Sequence, residues 1–140
     1  MTRAQHAAHL ELLLPHGWSR PSGYSYGIAA RGRMLFIAGQ VGWNPTTLQF
    51  ESDDFSLQVR QALENVVAVL REGRAEPAHL VRLTWFVTNG AEYASYRTQI
   101  REVYTDIIGR HYPPMSIFVV SGLLEARALV EIEATAVVPD

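Results

Sequence analysis

HYPPMSIFVVSGLLEARALVEIEATAVVP, residues 111–139, is the stretch whose reading decides the fold. It reads as strand, turn, strand. Side chains alternate across a strand with period two, so Val130, Ile132, Ala134 and Ala136 share one face and Glu131, Glu133 and Thr135 the other. The first set is suited to burial. The second places two carboxylates in an otherwise apolar run, where a charge is costly unless it is paired, hydrogen-bonded or facing a wet cleft. Two readings stay open: an exposed or salt-bridged strand face, or a pocket in which at least one carboxylate serves as general acid/base or positions water.

Working outward from this pair, Asn89 followed by Glu92 forms a capping box for a helix with an apolar stripe at Tyr93, Tyr96, Ile100, Val103, Tyr104 and Ile107. Gly109 and the Pro113-Pro114 pair close it. LVRLTWFVT, residues 80–88, is rich in β-branched and aromatic residues and reads as a strand. Before it, Asp53 or Asp54 caps a helix whose stripe is Phe55, Val59, Ala62, Leu63, Val66, Val67 and Leu70, with Gly73 as its C′ residue. Met34 to Val41 is apolar on both faces and reads as a central strand, paired as a hairpin with residues 28–30 across the turn Arg31-Gly32-Arg33. Gly39 inside it marks a bulge or a close approach. Residues 1–20 form a leader in which Leu10, Leu12 and Leu14 suggest a short edge strand or a helical turn. The remaining 21–140 make one domain of order ββ-α-β-α-ββ. This is an α+β fold with both helices on one face of a mixed sheet, since each helix has a single apolar stripe. The other face still needs cover, and a second copy of the chain is the simplest.

Composition narrows the chemistry. The 140 residues hold no Cys, which excludes a thiol nucleophile, disulfides and thiolate metal sites. All twelve basic residues are Arg, so lysine Schiff-base chemistry is excluded too. The five histidines (His6, His9, His16, His79 and His111) show no metal-ligand spacing, and His6 and His9 lie in the leader. A net charge of -2 offers no argument for nucleic acid or anionic membrane as partner. No apolar run is long enough to span a bilayer, and the first residues are too polar for a signal peptide, so the expected location is the cytoplasm. Arg82, in mid-strand, is either a buried anion ligand or a side chain with its head in water.

The combination of PSGYSYG, LFIAGQVGWNPTT, QVRQALENVVAVL, VRLTWFVTN, YPPMS and VEIEATAVV resembles the RidA (reactive intermediate deaminase, or YjgF) family over about the last 120 residues. That resemblance implies a chorismate-mutase-like fold and a homotrimer, with sheets facing inward as a barrel and a small-molecule pocket in each cleft between subunits. It implies hydrolysis of reactive enamines and imines, such as 2-aminoacrylate, to ketoacids and ammonia, with no metal or organic cofactor. The same family has been called an L-PSP endoribonuclease, a reading that the charge balance supports little.

By position, the resemblance makes Glu131 the pocket carboxylate that activates water and Gly39 the glycine whose backbone lines the pocket. The family's pocket tyrosine falls on Ser25, flanked by Tyr24 and Tyr26. The arginine that grips the substrate carboxylate is replaced by Met115, and the cysteine two positions on by Ile117. Methionine cannot hold a carboxylate. The chain is therefore expected to be a divergent member acting on a less polar, aromatic or acyl-linked imine. The alternative is a non-catalytic small-ligand binder or scaffold using the same cleft.

Overall fold

The computed structural model describes residues 9–140. Six strands run in chain order: β1 (Leu10–Leu13), β2 (Gly27–Ala30), β3 (Arg33–Val41), β4 (Leu80–Val87), β5 (Met115–Val119) and β6 (Val130–Val138). The helices are α1 (Phe55–Glu72), α2 (Gly90–Ser95) and α3 (Arg97–Ile107). β1 and β2 form a separate antiparallel ribbon, and the main sheet has the order β3-β6-β4-β5. Only β4 and β5 run parallel; β6 is antiparallel to both of its neighbours. The mixed α+β architecture matches expectation, and no described helix is long and apolar enough to cross a membrane.

Three expectations about pairing are corrected. The C-terminal strands are not neighbours, because β4 lies between them; β6 and β4 are the two strands flanked on both sides. β3 is an edge strand, not a central one. Its second apolar face is exposed in the single chain, with Phe36 74% and Met34 56% accessible. Nor do β2 and β3 form a hairpin. The Arg31 amide still donates to His9 O, extending the β1–β2 ribbon, while Arg33 already pairs with Val138. The chain thus crosses from one ladder to the other at Gly32, whose φ of 144° and backbone contact with Val138 O leave no room for a side chain. His9 is held by a 2.8 Å hydrogen bond to Val137 O, and His6 lies outside the described residues.

One layer of helix covers one face of the sheet. The whole predicted stripe of α1 is buried, from Phe55 at 1% to Leu70 at 0%, against Leu80, Leu83, Trp85, Val87, Val130, Ile132, Ala134 and Ala136. Each buried Val, Leu, Ile or Phe among them contributes about 1.5–3 kcal/mol by leaving water. Asp54 is the N-cap: its carboxylate accepts from the Leu57 amide at 3.0 Å and the Ser56 hydroxyl at 2.6 Å. Gly73 is the C-cap rather than C′, and the left-handed position falls on Arg74, at φ 57°. Glycine is needed at 73 for space, because a Cβ there would run into the Leu35 side chain. The second predicted helix breaks at Tyr96 into α2 and α3; Asn89 caps it by accepting from the Glu92 amide at 3.0 Å. The Tyr96 hydroxyl donates to Asp54, which ties the break to the N-terminus of α1.

Candidate functional site

Pairing sorts the side chains of the main sheet into two sets. Leu83, Trp85 and Val87 of β4 face the helices together with Val130, Ile132 and Ala134 of β6. Glu131 pairs with Phe86, Glu133 with Thr84 and Thr135 with Arg82, so these six lie on the open face. Met34 and Phe36 of β3 join them opposite Val137 and Thr135. Burial of Val130 and Ile132, both at 0%, therefore fixes Glu131 to the open side.

Glu131 is half-buried, and its carboxylate lies over the backbone of β3. A Cβ on Gly39 would collide with Glu131 Oε1 and sit 2.9 Å from its Cδ. The ladder shifts register between Ile37 and Gln40, so Gly39 is both a bulge and a close approach. Gly39 and Glu131 are thus brought together. Glu133 is exposed instead.

Two polar residues on the buried side of α1 hold this pair in place. Gln58, 1% exposed, donates to Ser52 O and Arg127 O at 3.0 Å and accepts from the Leu129 amide at 2.9 Å. Those bonds clamp the chain immediately before β6. One helical face further along, Asn65 donates to Val41 O at 3.2 Å and Trp43 O at 3.0 Å, which anchors the end of β3 just past Gly39. Arg127 adds an exposed ion pair with Asp53 at 2.8 Å. Gln58 and Asn65 were missed as positioning residues in the sequence. Their signal was present: polar side chains seven apart, which helical geometry puts on one face, inside an otherwise apolar stripe.

The other candidates lie elsewhere. Met115 and Ile117 pair with Leu83 and Trp85, which assigns them to the helix side of edge strand β5. Met115 packs against the core, while Ile117 is 41% exposed. Within one chain they do not share a face with Glu131. Ser25 sits beside the start of β5, its amide 3.5 Å from Pro113 O and its buried hydroxyl without a hydrogen-bond partner among the described residues. Tyr24 and Tyr26 contact each other edge-on, and Trp18 packs on Tyr26 in the same way. Tyr26 helps line a cavity of about 420 Å³ on the open face, with Met34, Val81, Arg82, Pro114 and Thr135. Glu131 is not part of that lining. Desolvation, then the neighbouring Tyr24, hold the Tyr26 phenol above the ordinary tyrosine range, so it is a neutral hydroxyl. Among the described residues no group of three or more His, Asp or Glu is placed to hold a metal ion.

Comparison with known proteins identifies the family. Residues 19–138 match the endoribonuclease L-PSP family. The chain is 33% identical to protein DfrA of Myxococcus xanthus over 109 residues, covering 76% of this chain and 77% of DfrA. It is 32% identical to a RutC family protein of Pyrococcus horikoshii over 127 residues, 90% of this chain and 96% of that one. Among solved structures, the Rid-family protein YyfB of Yersinia pestis superposes with a TM-score of 0.82 at 32% identity, covering 93% of this chain and 99% of YyfB. The YjgF gene product of E. coli superposes at 0.67 with 29% identity, over 81% of this chain and 87% of that one. With a family match across residues 19–138 and the same α+β architecture, the chain belongs to the RidA/YjgF family, also described as endoribonuclease L-PSP.

Proposed function

We propose that the protein hydrolyses a C=N bond of a small imine or enamine in clefts between subunits of a homotrimer, and that Glu131 is its general base. The observation that carries the reading is the Glu131 carboxylate held over the Gly39 bulge on an uncovered sheet face. A carboxylate there accepts a proton from water as the water oxygen bonds to the imine carbon. The C=N electron pair moves to nitrogen, which takes up a proton. The resulting carbinolamine loses ammonia as its C–N bond breaks, leaving a carbonyl. An enamine reaches the same point after a proton adds to its β-carbon. Water supplies every atom gained, so no cofactor enters.

The trimer reading rests on the exposed Phe36, Met34 and Phe118, an apolar surface uncommon on a soluble monomer. Barrel closure with the open faces inward would cover it and bring the edge strand of one subunit, with Met115 and Ile117, toward a neighbour. Met115 in place of a forked cation supports a substrate other than 2-aminoacrylate, one with a less polar body. Domain 21–140 is proposed as the catalytic unit, in the cytoplasm. The second reading, a small-ligand binder without turnover, is favoured by the same methionine.

Ammonia release from a panel of uncharged aryl and alkyl imines tests the proposal. Glu131→Gln keeps the shape and removes the base, so turnover of the best substrate should fall on the order of a hundredfold or more. Glu133→Gln should leave it within a few-fold. Unchanged turnover in Glu131→Gln would remove Glu131 as the base, and no turnover of any imine by the wild type would favour the binder.

A further inference from the structure

We propose that His9 and His79 form an acid-released latch that docks the β1–β2 ribbon on the end of the main sheet. The ribbon is a sheet of its own, and within the chain Leu10 is the one residue of its two strands that is buried. Little apolar contact therefore holds it, and regions of that kind open at low free energy. His9, the residue before β1, supplies a specific tether. Its Nε2 donates to Val137 O at 2.8 Å, beyond the Leu80–Ala136 pair at which the β4–β6 ladder ends. Its ring lies 5.9 Å from that of His79, tilted by 55°. His79 closes the short 3-10 turn Pro77–His79 that leads into β4. β1 and β2 bracket the loop carrying Trp18, Tyr24 and Tyr26, so undocking releases that edge-on aromatic cluster as well.

The hydrogen bonds of the pair are those of neutral rings. A carbonyl oxygen only accepts, so His9 carries its hydrogen on Nε2, and its Nδ1 is buried with no hydrogen-bond partner among the described residues. A second proton there would have no acceptor, at a cost. His79 Nδ1 accepts from the Glu76 amide at 3.0 Å, so a proton on it would set two donors against each other. Charged groups reach the pair from two elements. The turn brings Glu76 beside His79. The corner after β2 brings Arg31, whose amide donates to His9 O at 3.2 Å, and Arg33, which donates to Gly73 O instead. Desolvation is the largest influence on His79; Glu76 partly offsets it and His9 adds to it, which holds the ring below the ordinary histidine range. The docked form thus binds this proton more weakly than an undocked one. Docking is at full strength above the ordinary histidine value and weakens as pH falls through it. The latch uses contacts within one chain and does not rest on Glu131 being catalytic.

The test is amide hydrogen exchange on the full-length chain at about pH 7.5 and about pH 5.5, corrected for intrinsic exchange rates. Protection of residues 10–13 and 27–30 should fall about tenfold relative to α1, the factor for one excluded proton about one unit below an ordinary histidine pKa of about 6.5. His79→Asn keeps an acceptor oxygen near the place of Nδ1 and takes up no proton. Its ribbon should match the wild type at the higher pH and stay protected at the lower one. His9→Ala loses the bond to Val137, and its ribbon should be several-fold less protected at the higher pH. Ribbon protection in the wild type that ignores pH, or that falls equally in His79→Asn, would overturn the latch. So would wild-type protection in His9→Ala. A drop in assembly mass over the same pH range would overturn it too, because separation of copies would then account for the exposure.

Discussion

The two faces of the four-stranded sheet come from the same alternating strands and differ in what covers them. On the helix side, Leu83, Trp85, Val87, Val130 and Ile132 are all at most 2% exposed, and the polar intruders, Gln58 and Asn65, are hydrogen-bonded. On the open side the same strands present Phe36, Met34 and Phe118 to solvent beside Glu131, Arg82 and Thr84. The first face is packed to specify one structure. The second mixes large apolar groups with charges, the composition of a surface that meets other molecules. Stability and the proposed chemistry thus fall on opposite sides of single strands, and β6 carries both by parity alone.

Substitutions on either side should separate these roles. Leu63→Ala, in the middle of the helix-facing core, should lower unfolding stability by about 2–5 kcal/mol in urea. Phe36→Ser, on the open face, should leave the circular dichroism spectrum intact and reduce the assembly mass at low micromolar concentration. Similar losses of secondary structure in both variants would erase the distinction between the faces.

Met115 probes the comparison at the sheet edge, where it packs against the core while the rest of β5 is exposed. Wild-type protein should be a poor 2-aminoacrylate deaminase, since the carboxylate would shed water without gaining a cationic partner. Met115→Arg should raise pyruvate and ammonia release at least about tenfold, because a charge-assisted hydrogen bond contributes roughly 1.5–3 kcal/mol. Wild-type turnover equal to that of an arginine-bearing relative would contradict this.

The smallest effect concerns the helix layer. Hydrogen bonds from the Ser56 hydroxyl and then the Leu57 amide hold the Asp54 carboxyl below the usual carboxylate range. A group with its folded pKa lowered stabilises above its unfolded pKa and loses that contribution as pH falls through the folded value. Stability should therefore decline as pH drops below the ordinary carboxylate range, and part of that decline should vanish in Asp54→Ala. At neutral pH the loss of the cap should cost about 1 kcal/mol. An unaltered acid limb of the stability profile would show that the cap contributes little.

Much of this was legible in the sequence, for identifiable reasons. The stripe of α1 and the parity of β6 follow from local periodicity and the caps from local residue types; of Asp53 or Asp54 the structure uses Asp54, and it retains the stripe, the parity and Asn89. Strand order did not follow. Residues 111–139 look like adjacent strands, but the ten-residue connection leaves room to cross β4, and nothing local says so. The apolar second face of β3 was legible, whereas its place at the edge was not, because exposure in one chain and burial between chains have the same composition. Gly39 announced a close approach, and the partner, Glu131, came only with the register. Arg82 was read with two outcomes open; the ladder placed it on the open face opposite Thr135. Tyr26 lines the same cavity as Arg82 through tertiary contacts that no spacing encodes.

The mass of the protein in solution tests the division between the two faces most directly. Sedimentation equilibrium at micromolar concentration should give three times the 15.7 kDa chain mass, about 47 kDa, if the proposed trimer covers the open face with other copies. A stable species of 15.7 kDa under those conditions would contradict the account, since Phe36, Met34 and Phe118 would then remain exposed and Glu131 would have no cleft between subunits to work in.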